Sequence, residues 1–101
     1  MLTSQQRAWL RAQANDLPSQ FQIGKNEWTE ASEQSLDEIL STHELVKGNV
    51  LKSVEEPIRS LAQRLSDAVQ AEVVQVIGRK IVLYRPSEKL AKQGKAIQLP
   101  R

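Results

Sequence analysis

The chain has 101 residues, 40% hydrophobic and 26% charged, which suits one soluble globular domain with a single core and is too short for two. Cysteine is absent, which excludes disulfides and thiolate chemistry. The net charge of +2 hides a segregation: residues 27–44 carry six acids and no Lys or Arg, whereas residues 74–101 carry seven bases against Glu88 alone.

In chain order, Thr3-Ser4-Gln5-Gln6 predicts a helix start, with Thr3 as N-cap and Gln6 completing a capping box. Trp9, Leu10, Ala14 and Leu17 share one helical face before Pro18 ends the run, and Arg7 and Arg11, four apart, point outward from another. Phe21-Gln22-Ile23 is a short strand stopped at Gly24. Trp28, Ala31, Ser32, Leu36, Ile39, Leu40 and His43 follow helical spacing to about Thr42, with Glu27 and Glu30 at the positive end of the helix dipole. Leu45 to Leu51 is a strand with Val46 and Val50 on one face and Lys47 and Asn49 on the other. Gly48 on its apolar face weakens the strand or admits a close neighbour.

Pro57 opens a third helix, striped by Ile58, Leu61, Ala62, Leu65, Ala68 and Val69. Val73 to Ile77 and Ile81 to Tyr84 are near-continuous apolar runs, the pattern of strands covered on both faces. Gly78-Arg79-Lys80 between them predicts a tight hairpin with two cations at its tip. The resulting α-β-α-β-α-β-β order predicts an α/β fold: a four-stranded mixed sheet with two crossover helices on one face and the first helix on the other. Residues 1–86 form this domain, and residues 87–101 a basic C-terminal tail, loosely ordered apart from Ile97 and Leu99.

Enzyme chemistry finds little support. His43 is the single histidine, so no multi-histidine metal site can be built, and its place at a helix end makes it a dipole partner. A nucleotide-binding P-loop would need glycine at 19 and serine or threonine at 26, where the chain has Ser19 and Asn26. Gly24-Lys25, between a strand and a helix N-terminus, could instead meet phosphate oxygens through backbone N–H groups and the lysine charge. The Gly78-Arg79-Lys80 turn adds a second basic candidate.

The stretches "LTSQQRAWLRAQAN", "FQIGK", "THELVK" and "EVVQVIGRKIVLYRPS" resemble, in order and spacing, the YhbY-like CRM domain family (chloroplast RNA splicing and ribosome maturation). The resemblance runs from Leu2 to about Ser87. It implies a compact α/β RNA-binding fold akin to the C-terminal domain of translation initiation factor three, and association with precursors of the large ribosomal subunit. Where the family's loop usually reads glycine-lysine-glycine-glycine, this chain keeps Gly24 and Lys25 but has Asn26 and Glu27. It also has Trp28 in place of an aliphatic residue and Gly48 in place of valine.

The expectation is a non-enzymatic, monomeric, cytoplasmic RNA-binding protein of large-subunit assembly, without cofactor, metal, membrane or small-molecule substrate. Gly24, Lys25, Asn26, Arg79 and Lys80 are the leading RNA contacts, with Lys47, Arg7 and Arg11 behind them. The alternative is a protein-interaction module on the same fold, using the acidic second helix and having reduced RNA affinity.

Overall fold

A computed structural model describes residues 2–24 and 28–100. The elements are α1 (Ser4–Ala14), β1 (Phe21–Ile23), α2 (Glu30–His43), β2 (Leu45–Val50), α3 (Ile58–Val69), β3 (Glu72–Ile77), β4 (Lys80–Tyr84) and a short α4 (Glu88–Lys92). The capping box of α1 is present: Thr3 Oγ1 accepts from Gln6 N at 3.1 Å, and Gln6 Oε1 accepts from Thr3 N at 3.0 Å. Thr29 caps α2 with its side chain, accepting from Ser32 N. His43 ends α2 exposed, its Nδ1 within 2.8 Å of Thr42 Oγ1 and 3.3 Å of Ile39 O.

The sheet order is β1-β2-β4-β3. β1 and β2 are parallel, as a strand–helix–strand crossover requires, and β4 is antiparallel to both its neighbours. The final strand therefore inserts between β2 and β3, and β3 becomes an edge. This corrects the expectation that both closing strands are covered on both faces. Four of the five residues of β4 are buried, whereas in β3 only Val74 is, and Ile77 is 57% exposed.

Two cores sit on opposite faces of the sheet. One packs Leu36 and Leu40 of α2 and Leu61 and Leu65 of α3 against Ile23, Val46, Val50, Ile81 and Leu83. The other packs Leu10 and Ala14 of α1 against Leu45, Val74, Val82 and Tyr84. Alternation along each strand feeds both, because successive side chains point to opposite faces. Gly48 admits the close neighbour its position suggested. It pairs with Phe21 across the parallel ladder, and the Phe21 ring occupies the space a Cβ would need.

The stretch after Pro86 is docked rather than loose. Ser87 Oγ caps α4 and donates to Ser41 O at 2.6 Å, while Ile97 and Leu99 pack on the second core. The anchor is Glu44, fully buried, whose carboxylate accepts from Ser87 N at 2.7 Å and from Ile97 N at 2.6 Å. Arg85 fastens the same end, donating to the Asp37 carboxylate, Ser41 Oγ and the carbonyls of Asp37 and Val69. Burial first, then the carboxylates of Glu44 and Glu72, raise the Tyr84 phenol above its ordinary pKa.

Candidate nucleic-acid interface

Sheet polarity gathers Gly24 and the Gly78-Arg79 turn. β1 and β2 both end, and the β3–β4 turn falls, at one end of the sheet. Leu51, just beyond β2, joins them: its N–H donates to Ile23 O at 2.8 Å, and its carbonyl accepts from Arg79 Nη2 at 3.0 Å. Gly24 follows Ile23 directly, so Gly24 and the Gly78-Arg79 turn flank one residue. Lys52 follows Leu51, is exposed, and adds a cation at the same end. Isolated between Leu51 and Ser53, it gave no sequence signal; only the convergence of the strand ends marks it.

The hairpin differs from the expected tip with two cations. Ile77 pairs with Lys80, leaving Gly78 and Arg79 as the loop, with Gly78 at φ +55, which glycine adopts without strain. Arg79 folds back over the end of β2, half-buried. Its carbonyl accepts from Val50 N at 2.8 Å, and its buried Nε has no partner among the described residues. Arg79→Ala is accordingly expected to cost about 1 kcal/mol of stability, read by thermal melting, as well as affinity for any polyanion. Lys80 belongs to β4 and reaches Ser19 Oγ at 3.0 Å through a solvent-exposed bond that a phosphate can replace.

Two of the remaining predicted residues are engaged within the protein. Lys47 is half-buried and its Nζ donates to Ala14 O at 3.1 Å and Leu17 O at 3.4 Å, capping the C-terminal end of α1. Arg7, expected to point outward, is half-buried and donates to Val73 O on the exposed edge of β3. Arg11 is exposed on α1 as expected. Lys25 and Asn26, with Glu27, lie outside the described residues; Gly24 is buried.

The sheet also separates the charges. α1, on one face, carries Arg7 and Arg11 and no acid; α2, on the other, carries Glu30, Glu33, Asp37 and Glu38 and no Lys or Arg. The basic C-terminal segment starts where β4 ends, at the opposite end of the sheet from Gly24 and the β3–β4 turn. Its lysines therefore do not extend the surface around Gly24. Among the described residues no group of three or more acidic or imidazole side chains could hold a metal ion, and no helix is long and apolar enough to cross a membrane.

Residues 2–85 match the family model for the CRS1 / YhbY (CRM) domain. The chain belongs to this family. It is 37% identical over 100 residues to the "Probable RNA-binding protein YqeI" of Bacillus subtilis (strain 168), covering 99% of this chain and 100% of that one. It is 35% identical over 100 residues to an "RNA-binding protein" of Haemophilus influenzae, covering 99% and 96% respectively. The solution structure of SAV1595 from Staphylococcus aureus superposes with a TM-score of 0.79 at 39% identity, covering 99% of this chain and 100% of that one. In this CRM domain Gly24, the Gly78-Arg79 turn and Lys52 meet at one end of a four-stranded sheet.

Proposed function

We propose that this CRM domain binds RNA through the sheet end that carries Gly24 and the β3–β4 turn, and that it acts in cytoplasm as a monomer during assembly of the large ribosomal subunit. The observation that carries the reading is the Leu51 bridge, which holds the end of β1 at Gly24 and the β3–β4 turn side by side, with Arg79, Lys80 and Lys52 at that end. Because Gly24 is buried, the charge of Lys25 and the backbone N–H of Asn26 are the groups that meet phosphates, as the position of this stretch between a strand and a helix N-terminus allows. Arg11 contributes from the exposed face of α1, and Lys47 and Arg7 less, because their donors are engaged in holding α1 to the sheet. The names of the relatives from Bacillus subtilis and Haemophilus influenzae, which describe RNA binding, support the same partner. Nothing in this mode of action calls for bond-making chemistry or a cofactor.

Sedimentation of a cell lysate tests the assembly role. At low salt the protein is expected to travel with large-subunit precursors and to be released as salt rises, since phosphate contacts exchange with counterions. Migration with free protein under gentle conditions would remove that role. The exposed acids of α2 favour one other reading, a module that binds a basic protein; co-sedimentation that survives RNase digestion would support it instead.

A further inference from the structure

A cleft of about 470 Å³ opens beside Gly24 on the α2–α3 face of the sheet. Its walls are Ile23, Trp28, Val54 and Leu61, and Glu55, Glu56 and Arg64 supply its polar groups. Trp28 is half-buried: it packs against the first core and also lines the cleft. Glu56 is held in place, its carboxylate accepting from Arg64 Nη2 at 2.9 Å and Nε at 3.4 Å. A carboxylate has about four lone-pair sites, so this fork leaves acceptor capacity on Glu56 for a further donor.

We propose that this cleft receives one unpaired nucleobase bearing an exocyclic amino group, from the RNA strand whose phosphates lie beside Gly24. The inference rests on the RNA-binding reading above and deepens it from phosphate contact to base choice. Three features carry it. The volume falls within the roughly 300–1,000 Å³ typical of small-ligand sites, ample for a base with its ribose. Trp28 supplies an aromatic surface, and single-stranded RNA is recognised by stacking splayed bases on such rings. The Glu56 carboxylate beside an aromatic wall accepts from an amino group, as Glu does from cytosine N4, whereas uracil presents a carbonyl oxygen at that position and gains no such bond. The negative charge of Glu55 and Glu56 disfavours phosphate inside the cleft, so the strand backbone stays at Gly24 while the base turns in.

The test uses end-labelled single-stranded RNAs of about ten nucleotides, long enough to cover one binding module, titrated against the full chain at low salt. The probes are a cytidine run, a uridine run and an abasic ribose-phosphate chain of equal length. Cytidine is expected to bind on the order of tenfold more tightly than uridine, the two differing at the position the Glu56 carboxylate faces. Trp28→Leu should weaken the cytidine run by about tenfold and leave the abasic chain unaffected, and Glu56→Gln should narrow the cytidine-to-uridine ratio. A second readout uses the Trp9→Phe protein, in which Trp28 is the remaining tryptophan: cytidine RNA should quench its fluorescence and the abasic chain should not. Equal binding of all three RNAs with no quenching overturns the base site and leaves RNA binding standing. Failure of every RNA to bind overturns the RNA-binding reading, and the base site with it.

Discussion

Glu44→Ala is expected to lower stability by about 3–5 kcal/mol, because hydrogen bonds to a charged acceptor contribute roughly 1.5–3 kcal/mol each and two N–H groups, one buried and one partly buried, lose theirs. Those donors are Ser87 and Ile97, so the loss should fall on the segment after Pro86 and on the packing of Ile97 and Leu99. Against a typical domain stability of about 5–15 kcal/mol this is a large fraction, and the melting temperature should fall by roughly 15–30 °C. Glu44 also lies at φ +63, a conformation that costs non-glycine residues energy. Glu44→Gly should therefore be less damaging than Glu44→Ala, although it deletes the same carboxylate.

Glu44→Gln gives an independent readout through the one tyrosine of the chain. Removing the charge should lower the Tyr84 pKa, since the Glu44 carboxylate is one of the groups that raise it. The sign for stability follows: a phenol whose folded pKa is raised contributes nothing adverse below its unfolded value of about 10, and stability falls as pH rises from there through the folded pKa. In the Gln variant that alkaline loss should be smaller. An unchanged tyrosinate titration in a folded Gln variant would show that Glu44 does not act on Tyr84.

Gly48→Val should cost about 1–3 kcal/mol by overpacking, despite valine's better fit to strands. A Cβ at position 48 would lie 2.2 Å from Phe21 Cζ and 2.4 Å from Cε2, so the ring must leave its place over the sheet. Phe21→Ala alone should cost about 3 kcal/mol, somewhat less than for a fully buried ring because Phe21 is half-buried. The double variant should be markedly more stable than the sum of the two losses, because alanine at 21 vacates the space valine needs. Chemical denaturation of the four proteins measures this coupling. Strict additivity would mean that the ring and the missing Cβ do not compete.

These two sites mark where sequence was informative and where it was mute. Gly48 on an apolar face announced a close neighbour, though Phe21 could be named only once the parallel register was known. The capping box of α1 and the faces assigned to α1, α2 and α3 were legible because caps and 3.6-residue periodicity are local. Strand order was not legible: an apolar run such as Val73 to Ile77 suits a buried strand or a half-covered edge, and only the insertion of β4 decides between them. Charged residues misled most. Glu44 counted as one more acid in an acidic run, Lys47 and Arg7 as outward cations, and Arg79 as a projecting tip, yet each serves a backbone group brought near by tertiary structure. Conversely, Lys52 joined the candidate interface although its local sequence gave no hint.

The central claim, that RNA is held by phosphate contacts at the Gly24 end of the sheet, is tested most directly by a salt-dependent titration of single-stranded RNA. It compares the natural chain with the Lys25→Ala, Lys80→Ala double variant, chosen over Arg79 because the hydrogen bond from Lys80 to Ser19 Oγ is solvent-exposed. The natural chain should bind at low salt, with log affinity falling linearly against log salt, and losing two phosphate contacts should flatten that slope by about 1.4. Affinity should drop while the melting temperature stays within a few degrees, since the bond that Lys80 gives up is solvent-exposed. A folded double variant with unchanged affinity and slope would contradict the account and move the binding surface elsewhere.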